Sequence, residues 1–372
     1  MKYIIPILFL FFTIVDLRGQ GSVNDWPIFR GGPDLAGKSA FEFPANPKLL
    51  WSISTGERTK SSPVVSDGSI YFGSDKGTLF SVTAEGKIKW KYESTGSIDA
   101  PPMVAGNKII FGTSEGILKA VDRSTGKLLW SYPTENQIAG SANLWISGKR
   151  SGVIAGSYDY FLHCVNPETG KVLWKVETDN YINGTPAVSG GRIVMGGCDG
   201  MLRIIDPLTG KQKDTIEIGV YIASSPALSG DRAYFGDYDG TLYCINLVSG
   251  KLEWKISGSD ESGSILSVPA VGNGMIVIGR EDKYLYCYDA KDGKLRWKFR
   301  TNGSINGSAV VTSGEVLFTS MDGKVYILKL PDGSQRWSFN AGSPVSSSPA
   351  VIKDKFLILT EDGRLLAFGT KQ

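Results

Sequence analysis

The 372-residue chain has one histidine, His163. A site needing two imidazoles, such as the H-E-x-x-H zinc site, is therefore excluded, and a Ser-His-Asp triad could be built only around His163. Cysteine is also scarce. The four are Cys164, Cys198, Cys244 and Cys287, so none stands near the N-terminus to carry a lipid anchor. Neither sign of charge is in large excess: 40 Lys and Arg against 37 Asp and Glu leave a net +3, too little to make nucleic acid the main partner. Beyond residue 15 no apolar run is long enough to span a bilayer. Hydrophobic residues at 41% and charged residues at 21% are a globular balance, which excludes a disordered tail protein.

At the N-terminus, Lys2 precedes an apolar stretch from Ile4 to Val15, followed by Asp16-Leu17-Arg18-Gly19. The stretch is too short to cross a bilayer and has the form of an export signal. Cleavage is expected after Gly19, with an uncleaved anchor as the alternative. The expected division is a signal peptide at 1–19, an N-terminal extension at 20–47 and a repeat domain at 48–369.

The repeat is carried by Gly-Lys-x-x-Trp, as in Gly86-Lys87-Ile88-Lys89-Trp90 and Gly126-Lys127-Leu128-Leu129-Trp130. Its last position falls at 51, 90, 130, 174, 214, 254, 297 and 337, a period near 40. Only the fourth of these full repeats, ending at Asp214, has lost the tryptophan. Each period holds four short strands, and the second is apolar throughout: Ile109-Ile110-Phe111, Ile193-Val194-Met195, Val316-Leu317-Phe318. Strands apolar on both faces are covered on both faces. Four antiparallel strands per 40 residues, stacked around an axis, make an all-β, eight-bladed β-propeller. The last repeat stops without its fourth strand, and Lys48–Ser54 is a fourth strand with no repeat before it. Joining the two closes the ring and removes its open edges. The tryptophans are expected to cap the outer strands and pack between blades. Asp214 is read as drift at one of eight packing sites, against a polar docking edge.

The segments Asp122-Arg123-Ser124-Thr125-Gly126-Lys127-Leu128-Leu129-Trp130 and Asn166-Pro167-Glu168-Thr169-Gly170-Lys171-Val172-Leu173-Trp174 resemble the pyrroloquinoline-quinone (PQQ) repeat, and Trp26-Pro27-Ile28-Phe29-Arg30-Gly31 resembles the opening of exported proteins of that type. The resemblance covers roughly residues 26–369. It implies the propeller fold, but the family holds both quinoprotein dehydrogenases, which use PQQ and calcium, and the outer-membrane-protein assembly factor BamB, a non-enzymatic scaffold. The dehydrogenases carry long loops over one face and a pair of adjacent cysteines. Here the register shows one extra residue before Asn143, three before Pro269 and three in Ser147–Gly152. The cysteines are far apart, and Cys164, Cys244 and Cys287 share a small or apolar column with Ser81, Ala120, Ile204, Ile327 and Ala367. Free, buried thiols are expected, with no metal and neither PQQ nor calcium.

His163 shares a column with Lys119, Arg203, Tyr243 and Tyr286, read as a partly exposed strand face. Trp145 is aligned with Val65, Val104 and Leu228 and read as packing between blades. Glu115, Asp159, Asp199, Asp239, Asp282, Asp322 and Asp362 form a ring in the turns between second and third strands, read as turn chemistry. Binding candidates lie on the same face, in the fourth-to-first-strand connections: Arg58, Lys60, Asp99, Asn136, Gln137, Tyr181, Asn183, Tyr221, Asp260, Glu261 and Asn306. Tyrosines and amides around a funnel suit a peptide, a glycan or a small ligand. The expected protein is an exported, monomeric, non-enzymatic scaffold with a protein partner in the cell envelope, periplasmic or secreted and not a lipoprotein. The alternatives are a quinone-dependent dehydrogenase and a small-ligand or glycan binder.

Overall fold

The computed structural model describes residues 25–258 and 263–370. The expected signal segment, its cleavage point, and Asp260 and Glu261 lie outside them. Eight four-stranded antiparallel sheets form the ring. Blades 1 to 7 are consecutive, spanning residues 64–93, 103–133, 143–177, 187–217, 227–256, 270–300 and 310–340. Blade 8 takes three strands from residues 350–369 and its outer strand from Lys48–Ser54, which pairs antiparallel with Arg364–Gly369. The closure expected from the incomplete end repeats is thus present.

The second strands are buried along their whole length, as in Lys108–Gly112 and Lys355–Leu359 past its first residue, because each sheet is covered by a neighbour on either side. The motif column also has its expected place. Ser81, Ala120, Cys164, Ile204, Cys244, Cys287, Ile327 and Ala367 stand opposite Trp90, Trp130, Trp174, Asp214, Trp254, Trp297, Trp337 and Trp51. The tryptophans bridge blades. Trp90 lies over Gly126 of the next blade and donates its indole N–H to the Arg123 carbonyl at 3.1 Å. Trp51 does the same with Gly86 and Ala84, and Trp174 with Gly210 and Pro207. This explains the motif glycine. Gly126 has φ 72° and a Cβ there would come within 2.7 Å of the Trp90 ring.

Asp214 puts only a carboxylate over Gly250. It is exposed and accepts the Thr215 N–H at 2.9 Å, while Lys213 beside it pairs with Asp206 at 3.0 Å. Asp214→Trp is expected to raise stability by about 1–2 kcal/mol, less than full burial gives because most motif tryptophans are half-buried. The urea midpoint measures it, and no gain would show that this junction has no place for the ring.

At the channel, hydroxyls tie blade to blade. Ser141 N–H donates to Thr185 Oγ1, Thr185 N–H to Ser225, Val268 N–H to Ser308, Ser308 N–H to Ser348 and Ser348 N–H to Ser62, at 2.8–3.0 Å. These bonds fix the register of the inner strands and correct one alignment. Asn143 begins its strand in step with Val64 and Met103, with no extra residue before it. Leu144, not Trp145, is then the counterpart of Val65. Trp145 is nonetheless buried between blades 3 and 4, its indole N–H 3.3 Å from Cys164 Sγ.

All four cysteines are free thiols, three of them buried. Burial pushes Cys164, Cys244 and Cys287 up to about 12, so they are unreactive at neutral pH. Alkylation of the denatured protein without reductant should modify all four, whereas native protein should react at Cys198 alone. A bridge found in the denatured sample would contradict the packing.

Residues 25–43 had no assigned place in the repeat, and they close the channel. The segment travels around the inner strands in chain order. Trp26 exchanges both backbone bonds with Val65. Pro27, Pro33, Asp34, Ala36 and Gly37 then accept the N–H of Val104, Val188, Leu228, Val271 and Val311 at 2.6–2.9 Å. Midway, the turn at Phe29–Gly31 dips into the channel. Arg30 is 2% exposed, with a left-handed φ of 67°. Its guanidinium donates to the carbonyls of Ala309, Pro269 and Leu35, tying blades 6 and 7 to the segment. Burial lowers its pKa and the nearby Asp34 carboxylate opposes that. Gly37 leaves the room Arg30 needs, since a Cβ there would overlap the guanidinium.

Candidate functional site

The face bearing the fourth-to-first connections holds a small funnel of about 240 Å3, floored by Phe29 and walled by Lys60, Asn183, Asn306 and the inner-ring hydroxyls. Three of the expected binding residues therefore converge. Asn183 is fixed, accepting the Tyr158 hydroxyl at 2.8 Å and donating to the Ala223 carbonyl at 3.2 Å. The Asn306 side-chain oxygen is buried without a hydrogen-bond partner among the described residues.

The remaining candidates stand on the rim. Arg58 is exposed and serves the turn through its carbonyl, which accepts the Asp75 N–H. Asp99 accepts the Ser97 hydroxyl at 2.7 Å, and Asn136 accepts the Gln137 N–H at 2.8 Å. The Gln137 carbonyl accepts the Tyr158 N–H. Tyr181 stacks on Tyr158 at 4.5 Å and leans on Tyr160 at 5.3 Å. Tyr221 and Tyr238 are each more than half exposed, so blades 3 to 5 present a patch of tyrosine on this rim.

The acidic turns are indeed turn chemistry, and they do more. Asp159 accepts the Phe161 N–H of its own hairpin and the Glu135 N–H of the preceding connection, at 3.0 and 3.1 Å. Asp199 and Asp322 repeat this with Met201 and Asp179 and with Lys324 and Asn302. Each also holds the side chain four residues on: Asp159 with His163, Asp199 with Arg203, Asp322 with Tyr326, at 2.6–2.9 Å. Asp282 holds Tyr286 in the same way. The His163 column is therefore not a partly exposed face. His163 is 1% exposed, with Nε2 on Asp159 and Nδ1 3.0 Å from the Tyr132 hydroxyl. His163, Arg203 and Tyr326 look solvent-facing by type but are buried with a carboxylate paired to each, whereas Tyr286 is half-buried and the buried Lys119 donates to the Ser94 hydroxyl at 2.8 Å. The four-residue Asp-to-His, Arg or Tyr spacing was the signal that could have shown this. His163 lines neither cavity.

The larger cavity, about 890 Å3, is on the opposite face, where no site residue was expected. It lies between residues 25–33 and blades 1 to 4. Its far wall is the first hairpin of blade 3, whose strands Asn143–Ser147 and Arg150–Gly156 are two residues longer than those of blade 2. The expected extra residues at Ser147–Gly152 thus extend a hairpin. The lining is apolar at Pro27, Ile28, Val104, Leu144, Ile146 and Leu208, and three of its carboxylates are paired: Asp67 with Arg123 at 2.8 Å, Glu168 with Lys108 at 2.5 Å and Asp206 with Lys213 at 3.0 Å.

A family model described as outer membrane protein assembly factor BamB matches residues 44–157, 146–263 and 199–372. The chain belongs to this PQQ-repeat family. No curated protein matches it in sequence. Among solved structures, BamB from Moraxella catarrhalis superposes with a TM-score of 0.74 at 19% identity, over 88% of this chain and 98% of that one. A quinohemoprotein alcohol dehydrogenase from Comamonas testosteroni gives 0.81 at 12% identity, over 94% and 81%. The computationally designed Ika8 protein gives 0.76 at 16%, over 87% and 100%. At these identities the likeness is one of fold.

The fold is shared with a quinohemoprotein dehydrogenase, which raises PQQ as an occupant of the funnel. A planar quinone with three carboxylates needs several cations around it. Among the described residues Lys60 is the only cation lining the funnel, and Phe29 stands at its floor. The residues present do not fit the cofactor. Among the described residues no group of three His, Cys, Asp or Glu could hold a metal ion.

Proposed function

We propose that this protein is exported and serves in the cell envelope as a non-enzymatic scaffold that binds a polypeptide partner. The observation that carries the reading is the sealed channel: residues 25–43 and Arg30 fill the place where a propeller enzyme would need a deep pocket. Membership of the family described by BamB agrees with it, as does the run from Lys2 to Gly19, which has the form of an export signal. No helix among the described residues is long and apolar enough to cross a membrane.

The test is in vivo cross-linking followed by purification of the tagged protein from envelope and cytosolic fractions. A discrete envelope polypeptide retained in stoichiometric amount supports the proposal. Retention only in cytosol, or dye-linked alcohol oxidation on adding PQQ and calcium, would overturn it. A second reading rests on the exposed Tyr160, Tyr181, Tyr221 and Tyr238, whose rings suit a glycan. It expects a glycan array signal that Tyr221→Ala abolishes.

A further inference from the structure

The wall of the funnel is polar on one side and apolar on the other. The connections into blades 7, 8 and 1, which are neighbours in the ring, place Asn306, Ser346 and Lys60 over it, each two residues before a ring hydroxyl. The connections into blades 3, 5 and 6 place Ala139, Ala223 and Leu266 there. Asn183, into blade 4, uses both ends of its amide on the protein. The three polar groups of the other side do not. Asn306 Oδ1 and Ser346 Oγ are buried with no hydrogen-bond partner, and Lys60 has no ion pair, among the described residues. No carboxylate lines the funnel; Asp99, into blade 2, lies outside it and holds the Ser97 hydroxyl. Below them, the hydroxyls of Ser62 and Ser348 each accept a backbone N–H from the preceding blade, and no described acceptor takes their own protons. The adjacent Ser347 differs, donating to the Leu359 carbonyl of its own blade at 2.6 Å.

We propose that the funnel binds the C-terminal residue of another polypeptide, one with an apolar side chain. A single unneutralised cation beside unused hydroxyl protons suits a single carboxylate: Lys60, Ser346, Ser62 and Ser348 donate to it. The terminal residue also carries a backbone N–H close to its carboxylate, and Asn306 Oδ1 is the acceptor still open for it. Its side chain lies against Leu266 and Phe29. Size favours the end of a chain over a whole small molecule. The funnel's 240 Å3 is below the roughly 300–1,000 Å3 of pockets that enclose drug-sized ligands, and it opens onto the rim. There Tyr181 and the 56%-exposed Tyr221, two residues before Asn183 and Ala223, form an aromatic lip for the chain leading to the terminus. The proposal rests on the scaffold reading in taking the occupant to be a polypeptide.

The probe is acetyl-alanyl-leucine with a free carboxylate, titrated calorimetrically into the full-length protein. Saturable binding with Kd below about 1 mM is expected. The same peptide ending in a carboxamide should bind about tenfold more weakly or worse, and N-methylation of its leucine nitrogen should cost about fivefold. Lys60→Gln should bind the acid no better than the amide, and Asn306→Ala should no longer distinguish the N-methylated peptide from its parent. Neither side chain has a partner to lose, so both variants should melt within about 2 °C of the unmutated protein. No saturable binding, an amide that binds as well as the acid, or undiminished binding by Lys60→Gln would overturn the proposal. So would equal affinity for 4-methylpentanoate, which keeps the carboxylate and apolar tail without the N–H. If a variant melts lower, the comparison of acid, amide and N-methyl peptides on the unmutated protein decides. An envelope partner retained equally well by Lys60→Gln would sink this site and not the scaffold. Peptide binding with no envelope partner would do the reverse.

Discussion

Deleting residues 20–54 is expected to lower the melting temperature by on the order of 10 °C or more and to drive the protein into oligomers. The deletion removes the outer strand of blade 8, with Leu49, Trp51 and Ile53 packed on it, and leaves Arg364–Gly369 as a bare edge. It also removes Trp26, Ile28, Leu35 and Phe43, all buried. Each such side chain is worth about 1.5–3 kcal/mol of transfer free energy, reduced by the chain entropy regained. Deleting residues 20–44 instead keeps Lys48–Ser54 in the sheet. This shorter variant should remain monomeric and lose less stability while its channel opens. Scanning calorimetry with light scattering separates the two. An unchanged melting temperature in the longer deletion would refute closure by the N-terminal strand.

The second large effect is expected at Asp159. Asp159→Ala should destabilise by about 2–4 kcal/mol, because it strips partners from three donors at once: the buried His163 Nε2, the part-buried Phe161 N–H and the exposed Glu135 N–H. In the neutral ring, Nε2 donating to the carboxylate leaves Nδ1 to accept the Tyr132 hydroxyl, so the chain Tyr132–His163–Asp159 loses its anchor. Burial pushes the Asp159 carboxyl up, but the bonds from His163, Glu135 and Phe161 outweigh it and hold it below the usual carboxylate range. The stabilisation is therefore complete above the unfolded value of about 4 and is lost as pH falls through the lower folded value. Asp159→Asn should flatten that acid limb in urea titrations between about pH 5 and 2. An acid limb identical to that of the unmutated protein would show that the carboxylate is not coupled to folding.

What the sequence made legible was everything written in the period. Blade count, strand order, the packing of tryptophan between blades and the closing strand all follow from seven spacings and two incomplete ends. The path of residues 25–43 was not legible. It has no repeat, and its partners are backbone groups, which carry no residue signature. Arg30 could not be recognised as buried, since its partners Pro269 and Ala309 offer carbonyls rather than carboxylates. His163 was misplaced because its column reads as polar until Asp159, four residues earlier, is seen to pair with it. Of the candidate residues, Lys60, Asn183 and Asn306 line one funnel, since connections of equal length converge at the axis. The groove on the other face was half visible, as extra residues at Ser147–Gly152.

The channel segment also sets an order of events in time. Its residues are made first, yet Arg30 is bonded to Ala309 and Lys38 pairs with Val311, more than 270 positions later. Contacts of that sequence separation form slowly because a long loop must close before they repay its entropy. Trp26 and Pro27 can pair with blades 1 and 2 as soon as these form, but until blade 7 has been synthesised and folded Arg30 lacks its Ala309 carbonyl and Lys38 its strand. The assembled ring is thus a precondition for seating the later part of the segment, which reaches Phe43 in the cluster of blade 8. A chain halted before blade 7 keeps Phe43 available to a chaperone.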